Sequence, residues 1–209
     1  MLTLVQVTGF LAAAILITLA PGPDNLMVLG LGMARGRRAG ISFGLGCALG
    51  CLSHTTLAAL GISALIAASP VAFAVLRVAG GAYLLWLGIQ ALRSARPVAA
   101  GAAPDMTTES AGRLFVKGVI ANAVNPKVIL FFLAFLPQFV EAGRGRAAWQ
   151  TAQLGLVFTV QAALIFAAIG WSAGRLGRWL ARRPGLGAWL DRIAGGIFVA
   201  LGLRLIVAR

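Results

Sequence analysis

The segment Pro21-Gly22-Pro23-Asp24-Asn25 interrupts an apolar stretch of the chain with two prolines and places an acidic residue inside it. A second apolar stretch is interrupted in the same way by Asn125-Pro126-Lys127, which adds a basic residue. Backbone freed from helical hydrogen bonds, and charge within hydrocarbon, persist only where they line a cavity or contact a ligand. Interruptions at matching places in two halves are the best sequence indication of a transporter's binding site.

The composition indicates an integral membrane protein. Of the 209 residues, 60% are hydrophobic and only 11% are charged, and the mean hydropathy is +0.92. A helix needs about 20 residues to cross a hydrocarbon core of roughly 30 Å. Long apolar runs such as residues 119–135 show no alternation of polar and apolar side chains, which excludes the strands of a membrane barrel. The chain is therefore expected to be all-α.

Six transmembrane helices fit the apolar pattern, and the first and fourth contain the proline motifs. The predicted spans are Leu4 to Ala34, Gly40 to Ala68, Val71 to Leu92, Leu114 to Val140, Ala148 to Ala173 and Leu186 to Val207. The two halves resemble each other, since Arg77 to Gly81 matches Arg192 to Gly196. We therefore predict a first three-helix repeat at residues 1–96, a linker at 97–112 and a second repeat at 113–209.

An odd number of spans in each repeat predicts that the two repeats are inverted relative to each other in the membrane. The basic residues cluster at 35–38, 93–117 and 175–183, which would all lie on one side. The positive-inside rule makes that side cytoplasmic and puts both termini outside. The net charge of +13 is thus explained by topology and contact with anionic membrane lipids, and no nucleic-acid partner is expected.

Both interrupting motifs lie near the middle of the membrane. Asp24 precedes Arg35 by eleven residues, roughly 16 Å of helix, and Lys127 follows Arg113 by fourteen, roughly 21 Å. Each motif starts a helix whose free N–H groups attract a carboxylate. The predicted substrate-binding residues are Pro21, Gly22, Pro23, Asp24, Asn25, Asn125, Pro126 and Lys127. Asp24 could hold an ammonium group or a proton, and Lys127 a carboxylate; alternatively, the two charges only pair and join the long helices.

Three further residues allow other functions. His54 lies within the second span and could relay protons with Asp24, although such residues more often hydrogen-bond between helices. Cys47, Cys51 and His54 share one helical face, which would permit a metal efflux carrier. The same cysteines are too poorly placed for a membrane thiol-disulfide electron relay, because both belong to one helix. We favour helix packing for them, with no bound metal and no cofactor.

At its motifs the chain resembles the LysE/RhtB family of bacterial amino acid exporters. The matching elements are Pro21-Gly22-Pro23 with Asn25, Gly80-Gly81-Ala82-Tyr83-Leu84 with Leu87-Gly88, Phe115-Val116-Lys117-Gly118, Asn125-Pro126-Lys127, and Phe131-Phe132-Leu133-Ala134-Phe135-Leu136-Pro137-Gln138-Phe139. The resemblance implies a multi-pass transporter of the bacterial inner membrane, not an enzyme. It would export an amino acid or close derivative of the homoserine, threonine, leucine or lysine kind, driven by protons. A homodimer is left open.

Overall fold

The computed structural model describes residues 2–62, 69–93, 109–141, 143, 145–181 and 184–207. In these residues the secondary structure is helical, without a strand. The helices are α1 Leu4–Leu19, α2 Pro23–Arg35, α3 Arg37–Leu57, α4 Pro70–Arg93, α5 Ala111–Ala123, α6 Pro126–Leu130, α7 Ala147–Ala181 and α8 Pro184–Val207. Residues 97–108 of the predicted linker, and the predicted end of the second span at 63–68, lie outside the described residues.

The proline motifs divide two spans into half-helices, as their chemistry predicts. Helix α1 ends before Ala20, and α2 begins at Pro23 after a bend of 57°. Helices α5 and α6 meet at a bend of 50°, where the side chain of Asn125 accepts a hydrogen bond from the backbone N–H of Lys127. Asparagine as the cap and proline as the first helical residue favour this helix start.

The helical geometry of the fourth span changes twice after its break. Helix α6 continues into a π-helical turn at Phe131–Phe135 and a 3₁₀ turn at Leu136–Phe139. Helix α3 likewise ends in a π-helical turn at Ala58–Ile62. Turns of these kinds inside longer helices often occur at functional sites.

Three described helices are long and apolar enough to cross a membrane alone, within Arg37–Gly61, Ala74–Arg93 and Ala147–Trp179. Counting each bent pair as one span raises the number among the described residues to five. Helix α8 has a similar length but contains Asp191, Arg192 and Arg204, and it is not among the five. The chain is thus a helical membrane protein, and the part of it that the structure describes contains three to five candidate spans by these criteria.

Glycines allow the central helices to pack closely. A Cβ atom at Gly46 of α3 would overlap the carbonyl oxygen of Phe115 on α5, and one at Gly118 of α5 would overlap the carbonyl oxygen of Phe43 on α3. Small residues of this kind bring helix backbones together in membranes, where the hydrophobic effect between helices is absent. Helix α3 also packs along α7, so that α3 lies between α5 and α7.

Candidate functional site

The two breaks face a shared small cavity of about 10 Å³, which is room for roughly one water molecule. Asp24 from the first break and Lys127 from the second both line it. The other lining residues are Ile17, Thr18, Cys51, Asn122, Val128, Phe131, Phe158 and Phe166. The cavity therefore combines one acidic and one basic side chain with an amide and an apolar wall that includes three phenylalanines.

Asp24 is buried in the first turn of α2, with 3% of its surface exposed. The amide Nδ2 of Asn122, near the end of α5, donates a hydrogen bond to Asp24 Oδ2 over 2.8 Å. A charged acceptor strengthens such a bond, and burial makes its loss costly. This contact joins the first broken span to the second.

Asn122 also contacts two side chains of α3. Cys51 donates a hydrogen bond from its thiol to Asn122 Oδ1 over 3.5 Å, and His54 Nε2 lies 3.0 Å from the backbone oxygen of Asn122. His54 is thus separated from Asp24 by a single intervening residue, and the tautomer of its ring determines whether Nε2 donates to that oxygen. Asp24 and His54 contact different atoms of Asn122, and a proton relay between them stays a prediction.

Lys127 is buried with its ammonium group against the end of α1. Its Nζ donates hydrogen bonds to the carbonyl oxygens of Ile17 over 3.2 Å and Ala20 over 3.0 Å. In the described part of the chain no ion pair joins Lys127 to Asp24. The alternative that the two charges simply pair is therefore not the arrangement found.

The other predicted site residues form the helix ends beside the cavity. Gly22 and Pro23 start α2, and Asn125 and Pro126 start α6. Asn25 donates from Nδ2 to the carbonyl oxygen of Thr18 over 2.8 Å. Of the eight predicted residues, the cavity wall includes Asp24 and Lys127, while Pro21, Gly22, Pro23, Asn25, Asn125 and Pro126 lie outside it.

The cysteines do not form a metal centre in the described residues. Cys47 and Cys51 are both free and buried, and no three His, Cys, Asp or Glu side chains in these residues come together as ligands for an ion. The metal efflux alternative through Cys47, Cys51 and His54 thus lacks a ligand set here. Cys51 is instead part of the cavity wall.

Sequence reasoning missed several lining residues, above all Asn122. The available signal was its position one turn before Asn125, which places it at the end of the half-helix that leads to the break. Thr18 was missed as well, and in the structure it accepts a hydrogen bond from Gln161 of α7 over 2.9 Å. The three phenylalanines of the wall come from two different spans and share no local pattern.

Asn122→Ala is expected to lower the free energy of unfolding by about 2 kcal/mol, because it leaves the buried carboxylate of Asp24 without its donor. Thermal unfolding of the purified protein in detergent measures this change. The Asp24→Ala variant, which removes the acceptor, and the double variant complete a mutant cycle. If the losses in the free energy of unfolding of the two single variants add fully in the double variant, the two side chains are not energetically coupled.

The chain is similar in sequence to a family model and to several bacterial proteins. The family model described as LysE type translocator matches residues 15–209. An uncharacterized membrane protein of Vibrio cholerae is 32% identical over 202 residues, covering 96% of each chain. The homoserine/homoserine lactone efflux protein of Salmonella typhimurium is 32% identical over 96% of each chain. The threonine efflux protein of Escherichia coli K12 is 30% identical over 91% of this chain and 92% of its own.

No solved structure matches the chain significantly. The match of the family model, however, covers nearly the whole sequence, including both proline motifs and all the residues that line the cavity. The relatives are matched over almost their full lengths. The chain belongs to the LysE type translocator family.

Proposed function

We propose that the protein is a secondary active transporter that exports an amino acid or a close derivative across the bacterial inner membrane by proton antiport. Two relatives are named as efflux proteins for homoserine, homoserine lactone and threonine, which makes small hydroxylated amino acids the first candidates. Protons, the amino acid and the surrounding lipids would be its partners. The metal alternative has no ligand set among the described residues to support it.

One observation carries this proposal: an acid and a base from the two broken spans line the same buried cavity. An amino acid is a zwitterion, and its carboxylate is suited to Lys127 while its ammonium is suited to Asp24. A buried carboxylate in a membrane protein is also a typical proton carrier. Protonation of Asp24 in one access state would release the ammonium and couple export to proton entry.

The cavity has to expand during transport. Its volume of about 10 Å³ admits one water molecule but no amino acid, so the helices around it must separate. On the side of the basic loops, Arg35 donates to the backbone oxygen of Glu109, whose carboxylate pairs with Lys117. At the opposite ends of the broken spans, Gln6 donates to the backbone oxygen of Phe139. The contacts on one side are suited to breaking while those on the other side stay formed, and the reverse.

Inverted three-helix repeats, residues 1–96 and 113–209, would give the two access states equivalent geometry. Contacts between α4 and α8 support this arrangement. A Cβ atom at Gly81 would lie 3.0 Å from the carbonyl oxygen of Gly202, and one at Gly88 would lie 2.8 Å from that of Gly195. As the residue number rises along α4 it falls along α8, so the helices are antiparallel, as equivalent helices of inverted repeats must be.

The test of the proposed function is counterflow in proteoliposomes. Vesicles loaded with unlabelled homoserine, threonine, leucine or lysine should accumulate the matching labelled amino acid, and an imposed proton gradient should change the rate of net transport. Vesicles without protein are the control. If none of these amino acids exchanges above that control, the proposed substrate class is wrong; exchange without any response to the proton gradient would overturn antiport.

A further inference from the structure

We propose that the carbonyl oxygens of Ile17 and Ala20 form a binding site for a primary ammonium group at the broken end of α1. Lys127 fills this site in the structure, with Nζ bonded to both oxygens. In the loaded protein the ammonium group of the transported amino acid takes its place and directs its third N–H toward Asp24, which lines the same cavity. Binding of the substrate ammonium rests on the proposed function, whereas the carbonyl site itself does not.

The proline break creates the site. In a continuous helix the carbonyl of Ile17 would accept from the N–H of residue 21, but that residue is proline and has no N–H. The carbonyls at the end of α1 also carry the negative end of the helix dipole. Asn25 satisfies the carbonyl of Thr18, and Lys127 satisfies those of Ile17 and Ala20.

Lys127 reaches these oxygens from the other half of the chain. The hydrogen bond to Ile17 spans 110 positions in the sequence, so it fastens the second broken span to the first. The same side chain lines the cavity with Asp24, and its flexible stem allows the ammonium to turn toward a carboxylate there. If it left, two buried carbonyls would lose their donors, which is costly within a membrane. A substrate ammonium restores both bonds, and Lys127 is then available to the substrate carboxylate.

Gly22 leaves the space that the ammonium occupies. A Cβ atom at Gly22 would lie 2.8 Å from Lys127 Nζ and 3.4 Å from its Cε. The φ angle of Gly22 is −170°, which any residue can adopt, so the backbone does not require glycine. The Gly22→Ala substitution therefore disturbs the position of the ammonium without removing its charge.

Cys51 provides a readout that needs no transported substrate. It lines the cavity, and it is the one remaining cysteine after Cys47→Ala. In that background, Lys127→Ala should raise the rate of Cys51 modification by methyl methanethiosulfonate several-fold, because the cavity opens. Adding n-propylammonium, which replaces the missing part of the lysine side chain, should return the rate toward that of the background protein.

Tetramethylammonium is the matched control ion, because it carries the same charge but has no N–H to donate. Equal protection by both ions, or none by n-propylammonium, would overturn the ammonium site.

If Lys127→Ala does not fold, Gly22→Ala gives the second test. It should speed Cys51 modification, whereas Gly196→Ala, with no atom within 4 Å of the added Cβ, should not. Equal rates in these two variants would also overturn the proposal.

The labelling result is independent of the proposed function. Protection by n-propylammonium together with no exchange of any amino acid would support the carbonyl site and reject amino acid export. Exchange in the unmodified protein together with no protection would support export and reject the site.

Discussion

Asp24→Asn is expected to abolish counterflow of the transported amino acid in proteoliposomes while the protein stays folded. Asparagine is nearly the same size as aspartate and still accepts the hydrogen bond from Asn122 that holds this position. It is neutral at every pH, however, so it neither carries a proton nor pairs with an ammonium group. The substitution therefore removes the proposed chemistry and keeps the structural contact.

The measurement compares initial rates of labelled amino acid uptake at equal amounts of folded, reconstituted protein. Asp191→Asn is the matched control, because it makes the same chemical change on α8, outside the cavity wall. The control should transport at the rate of the unmodified protein, and Asp24→Asn should give the rate of vesicles without protein. Full transport by Asp24→Asn would remove this residue from the mechanism.

Gly118→Ala should have the largest effect on folding. The added Cβ would overlap the carbonyl oxygen of Phe43 and lie 2.9 Å from the backbone nitrogen of Cys47. Backbone atoms of a helix cannot rotate away as a side chain can, so α3 and α5 would have to separate. We expect a loss of about 3 kcal/mol in the free energy of unfolding. Transport should fall as well, since Asn122 follows on the same helix one turn later.

Thermal unfolding in detergent measures this loss, and Gly112→Ala is the control. Gly112 lies on the same helix, but a Cβ there has no atom within 4 Å. The control should leave the melting temperature unchanged or raise it slightly, because alanine favours helix more than glycine does. Equal melting temperatures in the two variants would show that the close approach of α3 and α5 is not a stabilising contact.

The bounds of the spans show what hydropathy predicts and what it omits. The bent pair α1 and α2 extends over Leu4–Leu19 and Pro23–Arg35, close to the predicted Leu4 to Ala34. Helix α7, in contrast, continues to Ala181, beyond the predicted end at Ala173. Hydropathy falls where Gly174 and Arg175 follow, but neither residue ends a helix. Apolar composition thus marks the part suited to hydrocarbon, and the helix itself can extend further.

The sequence by itself determined the helical membrane class, the position of both breaks and the presence of one charge at each. These follow from local chemistry, because proline lacks an N–H and asparagine caps the next helix wherever the chain goes. Only the tertiary structure decided the partners of those charges. Asn122 reaches Asp24 across 98 positions, and Lys127 binds backbone oxygens of Ile17 and Ala20. Every residue has such an oxygen, so helix packing alone selects which ones face the lysine.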